Sequence, residues 1–155
     1  MKMMRARTNR NLQQLVLFFL CGLSLLALPV FAAAGDATLT LVGGGLLQEK
    51  NSGRMWQMER SKKISSAAAA EQYLRQLNQG PRKDWRLPTK GELYDLLTIF
   101  DLKKNGGITI ELAGDYWLTD DNGATYAGAW ETGDQCGPER TFYRGKSGYV
   151  RAVRP

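Results

Sequence analysis

Three features of the 155-residue chain predict an α+β domain. Two segments with helical periodicity, near residues 66–78 and 90–100, follow one another in mid-chain. Several short β-rich runs, separated by turns containing glycine and asparagine, fill the remainder. Helices and strands are therefore segregated rather than alternating, which is an α+β order and not a βαβ one.

The first 34 residues are predicted to lie outside that domain. Lys2, Arg5, Arg7 and Arg10 give the first ten residues four positive charges and no acid. Residues 15–31 are apolar apart from Gly22, Ser24 and Pro29, and Ala32, Ala33 and Ala34 follow. A basic start, an apolar stretch and an Ala-x-Ala exit form the layout of a signal peptide. Cleavage after Ala34 fits best, with cleavage after Ala32 as an alternative, and Pro29 breaks the helix just before the site. The competing reading is an uncleaved membrane anchor over residues 15–34, whose 20 residues nearly suffice to span a bilayer. Lipid attachment at Cys21 is disfavoured, because Leu20 is too bulky for the residue preceding a lipidated cysteine. The expected location is exported, periplasmic or extracellular.

Residues 36–41 alternate weakly, Ala37, Leu39 and Leu41 against Thr38 and Thr40, and predict a short strand. Gly43, Gly44 and Gly45 lack the spacing of a phosphate loop and read as a linker or bulge. Residues 46–49 and 54–58 flank Asn51-Ser52-Gly53 as a hairpin. Ser65 or Ser66 caps a first helix through Ala70, Tyr73, Leu74 and Leu77, which Gly80-Pro81 stops. Thr89-Lys90-Gly91-Glu92 is a capping box, after which Leu93, Leu96, Leu97 and Phe100 make one apolar helix face. Strands are predicted over residues 107–112, 116–119, 125–131, 140–144 and 149–153. Asp120-Asp121-Asn122-Gly123 and Gly145-Lys146-Ser147-Gly148 read as turns. The predicted organisation is a leader (1–34), an N-terminal strand and linker (35–49) and the main domain (50–155).

The chain carries 21 Lys and Arg against 15 Asp and Glu, a formal charge of +6, with no His and two Cys. Loss of the leader leaves 17 basic against 15 acidic residues, too little excess for nucleic-acid binding. The absence of His removes Ser–His–Asp and Cys–His catalysis and His-ligated zinc, and two Cys cannot build a four-thiolate zinc site. Cys136, alone after cleavage, is read as a buried small hydrophobe, with a reactive thiol or an intermolecular link as alternatives.

Trp85-Arg86-Leu87-Pro88-Thr89-Lys90-Gly91-Glu92-Leu93 resembles the "DWRLPTxxEL" core of the Lcl C-terminal domain family, a domain of unknown function. Further segments follow in the family's order. Ser52-Gly53-Arg54-Met55-Trp56-Gln57 is similar to its "TGLMWQ" turn, Tyr116-Trp117-Leu118-Thr119 to "YWSS", and Tyr149-Val150-Arg151-Ala152-Val153-Arg154 to the closing "YVRCVR". The similarity runs over nearly all of residues 50–155. It implies a C-type-lectin-like fold, in the group of the formylglycine-generating proteins, with two helices on a twisted antiparallel sheet and paired N- and C-terminal strands. Arg54 stands in place of an apolar residue, Leu118 of Ser and Ala152 of Cys. The last difference removes the partner that the resemblance implies for Cys136.

Formylglycine-type chemistry needs paired cysteines to bind copper, which this chain lacks once the leader is removed. A carboxylate-pair hydrolase is formally open through Asp120, Asp121, Glu131 and Asp134, but Asp-Asp-Asn-Gly reads first as a turn. Calcium-dependent sugar binding needs Glu-Pro-Asn-like triplets. Gly137-Pro138-Glu139 has the wrong order, and Trp130-Glu131-Thr132 lacks an Asn-Asp pair. No catalytic residue, metal or cofactor is therefore expected. The expectation is a non-catalytic binding module for a polyanionic glycan or an envelope protein, through Trp130, Arg140, Tyr143, Arg144 and Lys146. Family members on collagen-like adhesins are associated with glycosaminoglycan-type ligands, so the resemblance admits such a ligand. The alternative is an accessory subunit of an envelope assembly with no small ligand, these charges being simply solvated. Trp56, Trp85 and Trp117 are expected in the core and Trp130 on the surface. Arg86 and Arg151 are expected to pair with carboxylates such as Asp84 or Glu92.

Overall fold

Adjacent apolar residues, more than alternating ones, organise the sheets. The computed structural model describes residues 37–132 and 139–155. In chain order it contains β1 (Leu39–Gly43), β2 (Leu46–Glu49), β3 (Met55–Gln57), α1 (Ala67–Leu77), α2 (Lys90–Asp101), β4 (Tyr116–Thr119), β5 (Thr125–Thr132), β6 (Arg140–Gly145) and β7 (Val153–Arg154). Two antiparallel sheets result, one in the order β1-β2-β3-β7 and one in the order β4-β5-β6. The α+β class predicted from sequence is thus the class observed. The predicted leader (1–34), Asp134 and Cys136 lie outside the described residues.

Strands β2 and β4 bury both faces. On β2, Leu46 packs with Trp85, Trp117 and Ala70 of α1, while its neighbour Leu47 packs with Trp56, Val153 and Leu96 of α2. On β4, Trp117 joins the α1 side, while Tyr116 and Leu118 meet Leu93 and Leu97 of α2. Strands covered on both sides read as continuous apolar runs, here Leu-Leu and Tyr-Trp-Leu. Full burial of one such leucine contributes roughly 1.5–3 kcal/mol. Trp56, Trp85 and Trp117 are all buried, as expected.

Local chemistry sets the helix starts. Ser66 caps α1 by accepting from the Ala69 N–H, and Asn78 at its end bonds both the N–H and C=O of Trp85 at 2.9 and 2.8 Å, closing the loop between helices. Thr89 and Glu92 form the predicted capping box of α2. Gly43, Gly44 and Gly45 all adopt positive φ and make the tight β1–β2 turn, with a bulge between Leu41 and Gly43, so residues 39–49 belong to the sheet that β3 and β7 complete.

Two strand expectations need correction. Residues 107–112 form no strand, because side chains bond their backbone where a neighbouring strand would. Asn105 Nδ2 donates to the Ile108 carbonyl at 2.6 Å, and Arg151 Nη2 and the Tyr116 hydroxyl both donate to that of Glu111, at 2.7 and 2.8 Å. The predicted strand over 149–153 shrinks to β7 and a single parallel bridge from Tyr149 to Tyr116, since Arg151 turns inward to the Glu111 carbonyl. Val153 pairs with Trp56 on one side and bridges Arg86 on the other, so the last strand sits beside β3 rather than β1.

Arg86 pairs with Glu92 as expected, at 2.7 and 2.6 Å. Glu92 also meets Arg54, which reaches Asp95 at 3.0 Å and the buried Glu49 at 2.8 Å. Glu49 accepts in addition from Trp56 Nε1 at 2.6 Å and Ser52 at 2.6 Å. Asp84 instead takes Arg154. The expectation for Arg151 is overturned. It is buried, has no carboxylate within ion-pair distance among the described residues, and donates to the carbonyls of Gln57, Met58 and Glu111. Burial pushes its guanidinium pKa down.

Burial alone would raise the Glu92 carboxyl from its ordinary 4.5, but the Arg86 fork, the Thr89 N–H and the Arg54 charge hold it at about 2. A carboxyl depressed in the folded state adds stability above its unfolded pKa and loses it as pH falls toward the folded one. The expected loss therefore runs from pH about 4.5 to about 2, and is on the order of 2–3 kcal/mol. Glu92→Gln should remove that part of the acid-unfolding curve, followed by circular dichroism, and lower neutral-pH stability by a similar amount. Arg151→Met, which keeps bulk but strands three carbonyls, should cost at least ~2 kcal/mol in urea unfolding, with Arg151→Lys recovering part.

Candidate functional site

Side chains on the β5–β6 hairpin alternate between two faces, and this sorts the predicted site residues. The register sets Trp130 opposite Phe142, Gly128 opposite Arg144 and Thr132 opposite Arg140. Those positions, with Tyr126, share the face toward α2, where Tyr126, Trp130 and Phe142 pack on Leu93 and Leu97. Tyr143 stands opposite Ala129 on the other face and is 53% exposed. Lys146 follows the end of β6 in an exposed turn. Trp130, Arg140 and Arg144 are therefore brought together, whereas Tyr143 and Lys146 are not part of that face.

The shared face carries a row of rings. Tyr94 of α2 meets Trp130 edge to face at 4.9 Å, Trp130 meets Phe142 at 5.3 Å, and Phe142 meets Tyr126 at 6.0 Å. Trp130 is only half-exposed, contrary to expectation, because its Nε1 donates to the Lys90 carbonyl at 3.0 Å and rings flank it on both sides. Gly128 makes the row continuous. A Cβ there would lie 2.3 Å from Phe142 Cζ and 2.5 Å from the Tyr143 carbonyl oxygen, so the Phe142 ring occupies the space a side chain would fill.

Cations lie over the rings. Arg144 sits 4.3 Å from the Tyr126 ring centre, and Lys90 Nζ lies 5.7 and 5.6 Å from those of Trp130 and Phe142. Among the described residues neither has a carboxylate within ion-pair distance. Arg140 differs. It grips Asp101 through Nε and Nη2 at 3.0 and 2.7 Å, donates to the Trp130 carbonyl, and is neutralised. Burial pushes the Tyr126 phenol up against the opposing pull of Arg144, with Asp120 and Asp121 adding to the rise. Asp120 otherwise serves the turn, its Oδ1 accepting from the Asn122 and Ala124 N–H groups.

A groove of about 540 Å³ opens beside the row, lined by Leu97, Asp101, Asp115, Trp130, Glu131 and Arg140 among others. Its carboxylates, Asp101, Asp115 and Glu131, outnumber its cations, Lys63 and Arg140, and Arg140 is paired to Asp101, so a negative ligand is better met at the ring faces under Lys90 and Arg144. Sequence reasoning missed Lys90, Tyr94, Tyr126 and Phe142. The period-two pattern Tyr126-x-Gly128-x-Trp130 against Arg140-x-Phe142-x-Arg144 carried the signal for the strand residues, and it separates Tyr143 from them. Comparison of the chain with protein-family models, curated proteins and solved structures returns no match to any of the three.

Gly128→Ala is expected to displace Phe142 and split the row. The measurement is near-ultraviolet circular dichroism together with urea unfolding, with an expected stability loss of roughly 1–3 kcal/mol.

Proposed function

We propose that the chain is an exported, non-catalytic binding module of the Lcl C-terminal kind, with a C-type-lectin-like arrangement, that takes a polyanionic glycan on the aromatic row. One observation carries the reading: four rings joined edge to face, with Lys90 and Arg144 over them and no carboxylate paired to either among the described residues. Ring faces suit the C–H-rich sides of sugars, and cations at the same surface suit sulfate or carboxylate substituents. Cations already held over rings give up less conformational freedom on binding than extended side chains would. The basic and apolar layout of residues 1–34 supports export.

Retention of the protein on heparin or dextran sulfate, at low and at physiological salt, tests the proposal. Retention is expected at low salt and should weaken as salt screens the cations. Lys90→Ala with Arg144→Ala should lower affinity on the order of tenfold per cation, while Tyr143→Ala, on the opposite face, should leave it unchanged. No retention at low salt, or equal retention by the double variant, would favour an accessory subunit of an envelope assembly instead.

A further inference from the structure

Two carboxylates of the groove beside the aromatic row stand apart from its ion pair. Gly145 pairs with Ala127, so a side chain at 145 would stand on the face that Ala127, Ala129, Glu131 and Tyr143 share. Asp115 takes that place: its Cγ would lie 2.6 Å from a Cβ on Gly145. Asp115 and Glu131 therefore occupy one face of the hairpin. They are separated by the run of β5 from Ala127 to Glu131, about 13 Å at ~3.3 Å per residue.

Both side chains line the groove of about 540 Å³, a size typical of small-molecule sites. Ala129, midway between Ala127 and Glu131, lines it too, with Leu97, Phe100 and Leu112, so apolar surface separates the two carboxylates. Asp115 is half-buried and Glu131 exposed, and neither has a cation within ion-pair distance among the described residues. Arg140 is held by Asp101, which leaves Lys63 as the one unpaired cation of the lining against two unpaired carboxylates.

We infer that the groove binds an elongated aliphatic diammonium of the polyamine class. One ammonium meets Asp115, the other meets Glu131, and the alkyl chain lies over Ala129, Leu97 and Leu112. A single metal ion does not fit, because the two carboxylates are too far apart to share it. No group of three or more metal-binding side chains occurs among the described residues. An ammonium with only one charged end would leave a carboxylate without a partner. The chain is net basic with its leader (+6) and without it (17 basic against 15 acidic residues), so it repels polycations in general, and holding one takes a local site such as this. The groove shares Trp130 with the aromatic row but uses neither Lys90 nor Arg144, so either site can fail without the other.

The test is isothermal titration calorimetry of the full chain at low salt with three amines: diaminooctane, octylamine and diaminopropane. Diaminooctane is expected to bind. Octylamine, with one ammonium, and diaminopropane, too short to reach both carboxylates, should each bind on the order of tenfold more weakly. Asp115→Asn and Glu131→Gln should each weaken diaminooctane by a similar factor, and Lys63→Met, which removes the competing cation, should tighten it. Glu131 is exposed, so Glu131→Gln leaves the fold intact even if Asp115→Asn does not. The inference is overturned by no binding of diaminooctane, by octylamine or diaminopropane binding as tightly, or by an unchanged affinity in Glu131→Gln. Heparin retention, tested through Lys90 and Arg144, reads the other site and keeps the two results distinct.

Discussion

A buried cation with no carboxylate paired to it among the described residues holds the irregular part of this fold in place. Arg151 lies between β3 and the segment that follows α2, and its guanidinium serves the carbonyls of Gln57, Met58 and Glu111 at once. Met58 and Glu111 lie outside the strands and Gln57 ends β3, and leaving such a carbonyl buried and unpaired would cost about 1–3 kcal/mol. The planar, multi-donor head of arginine fits this duty better than the point charge of lysine. Arg60 repeats the device nearby, donating to the Ala113 carbonyl at 2.5 Å while lying 3.7 Å over the Tyr149 ring. Tyr116 adds its hydroxyl to the Glu111 carbonyl. Side chains replace a missing strand.

With that segment anchored, α2 can be shared by both sheets. Leu96 faces Leu39, Leu47, Trp56 and Val153, while Leu93 and Leu97 face Tyr116 and Leu118. The helix start is fastened to the first sheet by charge, through Glu92, Arg54 and Glu49. Its outer turns supply Lys90 and Tyr94 to the aromatic row. The candidate site therefore depends on the helix being fixed from two sides, one apolar and one ionic.

What the sequence made legible was local. Thr89 and Glu92 announce a helix start because capping needs only three residues of spacing, and Leu93, Leu96 and Leu97 show its inner face. Strands 46–49 and 116–119 were also readable, although burial on both faces erased alternation. Residues 107–112 looked like a strand because Ile108, Ile110 and Leu112 alternate. They do point into the core, but their backbone bonds to the nearby Asn105 and Tyr116 and to Arg151 from 40 positions away, instead of to a strand. The candidate site was half legible. Residues 140–146 formed a cluster by proximity in sequence, yet alternation splits that cluster across a sheet. Lys90 and Tyr94 come from a helix some 40 positions away from Trp130, and no local pattern joins them.

The double engagement of Val153, with Trp56 on one side and Arg86 on the other, has a consequence for the order of folding. The β1–β2–β3 hairpins and both helices rest on contacts close in sequence and can form early. The edge of β3 and the backbone of Arg86 must wait until residue 153 has been synthesised. Such closure between distant positions is slow compared with forming a helix. Until then Trp56 and Leu47 lack their Val153 neighbour, so the first sheet closes only when positions far apart in the chain have met.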